Sequence, residues 1–107
     1  MADLWGALAQ SAPAAVTLTA AYTVPAGRNA TVEVVMCNTG AVATVRLAHA
    51  VAGAADNVKQ YLVWDYPLAV AETKATARFT AKAGDIIRVY ASTATVAFNI
   101  NGIEEAV

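Results

Sequence analysis

The chain carries little with which to do chemistry. One cysteine, Cys37, and one histidine, His49, stand among its 107 residues. A lone cysteine excludes an internal disulfide and fits assembly in a reducing cytoplasm. A lone histidine excludes a multi-histidine metal site within one chain, and no metal or other cofactor is expected. Charge is also scarce, at 14% of residues against roughly 25% in an ordinary globular domain. The seven basic residues are scattered and the net charge is −1, which leaves no basic stripe for nucleic acid. No apolar run is long enough for a membrane helix, and Asp3 stands where a secretory signal would carry Lys or Arg, so no membrane association is expected. Phosphate-binding glycine motifs are absent as well.

What is present is apolar and β-branched. Hydrophobic residues make up 58% of the chain, about a quarter of all residues being alanine, so much of that figure reflects small, weakly hydrophobic positions. From Ala14 onward apolar and polar residues alternate, with turn residues about every 8 to 12 positions, which predicts one all-β domain, an antiparallel sandwich of jelly-roll-like or Greek-key type. We read residues 14–103 as the sandwich, 1–13 as an N-terminal arm and 104–107 as a tail. In the arm, Asp3 can cap a short helical turn that carries Leu4, Trp5 and Leu8. These side chains lie outside the strand pattern and need a surface to cover, which makes them candidates for a subunit interface.

Turn chemistry recurs within the domain. YTVPAG (Tyr22–Gly27) is echoed by FTAKAG (Phe79–Gly84), and each opens a β-branched run. Pro25 and Gly27 mark the first turn, Gly84 and Asp85 the second. Two related halves or convergent turn chemistry would each explain the echo. Asn38-Thr39-Gly40 predicts a hairpin between ATVEVVMCN and AVATVRLAHAV. With Thr39-Gly40 at its tip, Glu33 falls opposite Arg46 and Val32 opposite Leu47. Val96, Phe98 and Ile100 are expected to point inward.

Candidate chemistry is thin. Cys37 and His49 lie at opposite ends of that hairpin, Glu104 and Glu105 face opposite ways on an extended segment, and no catalytic residue is assigned. Along VKQYLVWDYP, alternation puts Val58, Gln60, Leu62, Trp64 and Tyr66 on one side, as core or subunit interface. The alternative is a sugar-stacking platform of Tyr61, Trp64, Asp65 and Tyr66, where aromatic faces and a carboxylate would suit a pyranose ring.

Taken in order, YTVPAGRNATVEVVMCNTG, LAHAV, QYLVWDYPL and AGDIIRVYAS resemble small β-sandwich structural proteins of tailed bacteriophage virions. A strand ending in YTVPAG, a strand ending in CNT, a YL-aromatic-D-x-P-L segment and an AGD-x-I-R-V-Y-A strand recur there in the same sequence. The likeness runs from about Ala20 to Ile103. It implies a non-enzymatic virion component, repeated as a homo-oligomer such as a trimer, that decorates the capsid or belongs to the tail, neck or fibre. Its partners would be copies of itself and other virion proteins, assembled in the bacterial host cytoplasm. The alternative function is a carbohydrate- or receptor-binding module.

Overall fold

The computed structural model describes residues 3–107. Strict alternation is clearest in RNATVEVVMCN, where every second residue is buried, and such a pattern is stable only with one face on a core. Among the described residues nine strands form two antiparallel sheets: β1 (Leu4–Ser11), β2 (Thr19–Thr23), β3 (Arg28–Asn38), β4 (Ala43–Ala50), β5 (Tyr61–Leu68), β6 (Thr73–Ala75), β7 (Phe79–Lys82), β8 (Ile86–Ala91) and β9 (Val96–Ala106). Sheet one runs β1-β9-β3, with β6 and β7 both on the far side of β3; sheet two runs β2-β8-β4-β5. The expected antiparallel sandwich is therefore observed.

The pairing has a simple logic. β4 pairs with β5, β3 with β6 and β7, β2 with β8, and β1 with β9. The chain is thus one long hairpin, rolled up so that β3 also meets β9 and β4 also meets β8. That order is a jelly roll. Where β6 gives way to β7, Thr76 holds the ladder together: its N–H donates to Val34 O at 2.9 Å and its hydroxyl accepts from Val34 N–H at 3.0 Å. Between the sheets lie Met36, Leu47, Leu68, Ile87, Phe98 and Ile100, all fully buried, each stabilising by about 1.5 to 3 kcal/mol. Val96, Phe98 and Ile100 point inward as expected.

The two echoed segments make neighbouring corners. YTVPAG leads from sheet two into sheet one, and FTAKAG leads back. Gly27 and Gly84 take φ of 77° and 87°, a region costly for residues with a Cβ. The corners are bonded to each other, Val24 N–H donating to Asp85 O and Gly84 N–H to Val24 O, both at 3.0 Å.

The expected β3–β4 hairpin does not form. Both strands are interior to their sheets and bury alternate side chains, so each needs two neighbours of its own, and the Asn38–Gly40 segment carries the chain from one sheet to the other. Glu33 is opposite Asn101, and Arg46 opposite Tyr90. Gly40 is needed not for a hairpin tip but for close approach, since a Cβ there would lie 2.6 Å from Thr95 Cγ2.

The arm and tail also differ from expectation. Residues 4–11 form no helical turn: they are β1, an edge strand whose partner β9 lies some ninety residues away, so nothing local announces it. Residues 104–106 complete β9. Glu104 is buried, accepts from Tyr22 Oη, and lies 3.7 Å from Arg28 Nε. Burial and then the Glu104 contact push the Tyr22 phenol well above its usual range.

Candidate functional sites on the two sheet faces

His49 and Asp85 form the most enzyme-like pair. His49 Nε2 lies 2.8 Å from Asp85 Oδ2, with the imidazole 5.5 Å from the Phe79 ring. Asp85 also accepts from Ala52 N–H at 2.8 Å and Lys82 N–H at 3.0 Å. Burial pushes its carboxyl up, but the two backbone donors and His49 outweigh that and hold it below its ordinary value. The pair ties the end of β4 to the β7–β8 turn, and the Ala52 bond adds the β4–β5 loop; Asp85 closes that turn as expected. Cys37 lies in the other sheet, paired with Thr73 and Ala97. Among the described residues no three His, Cys, Asp or Glu gather as metal ligands would.

The outer face of sheet two carries the aromatic cluster, in an arrangement that alternation does not give. Trp64 is 55% exposed rather than in the core, and Val58 and Leu62 are exposed too. The cause is local. Val58–Gln60 is a 3-10 turn, so β5 begins only at Tyr61, and Asp65 takes φ of 48° within the strand. A single left-handed residue shifts the alternation, so Val63, Tyr66 and Leu68 turn inward while Trp64 turns out. Tyr66 leaves the platform: its hydroxyl donates to Glu72 Oε2 at 2.8 Å, below Lys74.

Tyr61, Trp64 and Asp65 do come together, and the sheet adds two residues the sequence did not single out. Arg46 of β4 stacks 3.9 Å from the Trp64 ring centroid and 4.5 Å from that of Tyr90 on β8. Asp65 accepts from Arg46 Nε and fixes the guanidinium in that slot. Tyr61 meets Trp64 edge to face at 4.8 Å, and its hydroxyl donates to Asp56 Oδ1 at 2.8 Å. Burial, then Asp56, raise the Tyr61 phenol above its ordinary value. The product is a rigid aromatic surface with a guanidinium and two carboxylates at its margin. Arg46 was visible in the sequence only as a partner for Glu33; its true neighbours are set by the β4–β8 register.

The second surface is the outer face of sheet one. Here β1 presents Trp5, 81% exposed, while Leu4, paired with the inward-facing Glu104, lies 50% exposed on the other side of the edge strand and Leu8 packs against the core. Trp5 forms one wall of a groove of about 380 Å³ that is also lined by Thr31, Glu33, Arg78, Asn101, Gly102 and Ile103. Of the three residues expected at an interface, two are thus offered to solvent and one belongs to the fold. No family model, curated protein or solved structure matches this chain.

Proposed function

We propose that this protein is a non-enzymatic structural subunit of a tailed bacteriophage virion, assembling with copies of itself and with other virion proteins. One observation carries the reading: Leu4 and Trp5 stand exposed at the open edge strand of a charge-poor sandwich. A large apolar side chain left in water forgoes roughly 1.5 to 3 kcal/mol of burial, and an unpaired strand edge is a surface that native proteins cover or block. Contact with another subunit covers both. The strand and turn motifs that resemble virion proteins, and a jelly-roll order of the kind that viral capsid domains use, support the same reading. Because β1 pairs along β9, deleting it would damage the sandwich itself, so point substitution is the cleaner test. Light scattering across concentration is expected to give a defined oligomer for the full chain and a smaller species for Leu4→Ser/Trp5→Gln, with far-UV circular dichroism unchanged. A monomer at every concentration would remove self-assembly from the proposal.

A second reading rests on the other face. Asp65 accepts a strained backbone, and the result is that Trp64 lies outward over Arg46. Strain kept at an exposed aromatic is a pointer to binding, and the ring faces with Asp56, Asp65 and Arg46 suit a neutral pyranose. Titration with lactose, cellobiose, maltose and chitobiose, followed by the backbone amide resonances of β4, β5 and β8, is expected to give saturable shifts with at least one sugar. Trp64→Ala should abolish them with mass and melting temperature unchanged. If that substitution instead alters the oligomer, the platform is a subunit contact.

A further inference from the structure

The groove beside Trp5 has a composition that suits one partner above others, a second copy of itself. It lies on the outer face of sheet one between two rows of side chains running across the strands. Trp5, Ile103 and Thr31 form one row, and Ala7, Asn101 and Glu33 the next. Arg78, in the segment between β6 and β7, stands at the far end. Gly102 sits between the rows, paired with the inward-facing Val32, and its backbone lies too close to β3 for a side chain, since a Cβ there would come within 2.0 Å of Thr31 O. At that point the groove is floored by bare backbone, with a protruding tryptophan on its rim.

Its charges are unspent. Among the described residues neither Glu33 nor Arg78 takes part in an ion pair, the three such pairs being Arg28 with Glu104, Arg46 with Asp65 and His49 with Asp85. One acid, one base, one apolar projection and one cavity on a single patch meet the requirement of a twofold interface, in which each feature must find its complement on an identical surface. In an isologous contact, a twofold axis lying along this face would set Glu33 against the partner's Arg78 and Arg78 against the partner's Glu33, with each Trp5 turned toward the opposite groove. Two complementary charge pairs would then set the register of the docking.

We infer that the outer face of sheet one is an isologous dimer interface, with each Trp5 seated in the partner's groove and Glu33 paired with the partner's Arg78. This rests on the assembly reading above and gives it a symmetry and an address. The test is a charge exchange in the full chain, read as the dimer dissociation constant by sedimentation velocity. Glu33→Arg and Arg78→Glu are each expected to weaken the dimer by at least about tenfold, because like charges then face each other across the axis. The double variant should return to within about threefold of the original, because the pairs are restored with signs reversed. Trp5→Gln should dissociate the dimer while leaving the melting temperature unchanged. Self-association that ignores all three substitutions, or an odd-numbered oligomer, overturns this interface and leaves the assembly reading standing. A chain that stays monomeric at every concentration overturns both.

Discussion

Asn38→Ala is expected to lower the free energy of unfolding by about 3 to 4 kcal/mol, the loss of several neutral hydrogen bonds plus the partners left unpaired in the interior. Asn38 is fully buried at the corner where β3 leaves sheet one. Its amide nitrogen donates to Ala41 O at 2.8 Å and to Leu68 O at 2.9 Å. Its amide oxygen accepts from Gly40 N–H at 3.0 Å and from the Thr95 hydroxyl at 2.9 Å. The main chain of the same residue takes part too, donating to Glu72 O and accepting from Ala71 N–H, both at 3.0 Å. One side chain thus joins the β3–β4 connection, the end of β5 and the β8–β9 connection, and its two donors and two acceptor positions are all used. Urea unfolding followed by circular dichroism measures the loss directly. Asn38→Asp is the sharper variant. It keeps the shape and the acceptor but aims a carboxylate oxygen at two carbonyls, so the folded state favours the protonated acid. Its stability should accordingly be lost as pH rises through the raised folded pKa and regained on acidification. A loss below about 1 kcal/mol for Asn38→Ala would mean that the corner holds without it.

That corner also shows where sequence reading stops. Asn38-Thr39-Gly40 has the composition of a hairpin tip, and the same residues serve a crossing between sheets, because turn chemistry describes the bend of the backbone and not the sheet it enters. Only the burial of alternate residues on both flanking strands distinguishes the cases, and that depends on partners far along the chain. β1 was hidden for the same reason, since its ladder is formed with β9. Trp64 was turned out of the core by a single torsion, the left-handed Asp65, which no composition rule announces at a non-glycine residue. What was legible was local and repetitive: the β-branched alternation of β3, β8 and β9, the inward set Val96, Phe98 and Ile100, and the glycine turns at Gly27 and Gly84. The candidate surfaces were half legible. Trp5 stood out as an apolar side chain needing cover, and Tyr61, Trp64 and Asp65 as a cluster, but Arg46, Tyr90 and the Glu33–Arg78 groove arise from pairing between distant strands.

The largest single-site effect is expected at the other end of the sandwich. Glu104→Ala should destabilise by about 3 to 5 kcal/mol, because it leaves a buried cation without its counter-charge. Arg28 is 7% exposed and Glu104 5%. Glu104 is the one carboxylate paired with that guanidinium among the described residues, and Arg28 Nη1 already has no hydrogen-bond partner. The Tyr22 hydroxyl, which donates to Glu104, would lose its acceptor in the same step. Severe loss on breaking the pair does not mean that the pair itself adds much, since desolvating two charges consumes most of their attraction. The two quantities separate in a cycle of Glu104→Leu, Arg28→Met and both together. Each single variant strands one charged group, whereas the double variant replaces the pair with apolar side chains of similar volume and should recover most of the stability. Tyr22→Phe should cost less, about 1.5 to 3 kcal/mol, one hydrogen bond to a charged acceptor. If the double variant proves as unstable as the worse single one, the pair contributes net stability where β9 closes against β3. Recovery would instead mark it as a device that fixes the register of the last strand, Arg28 lying opposite Ala106 and Ala30 opposite Glu104 along the ladder. The terminal turn of β9 would then be held in place by a charge match rather than by apolar burial, which is what a strand ending in the exposed pair Glu105 and Ala106 requires.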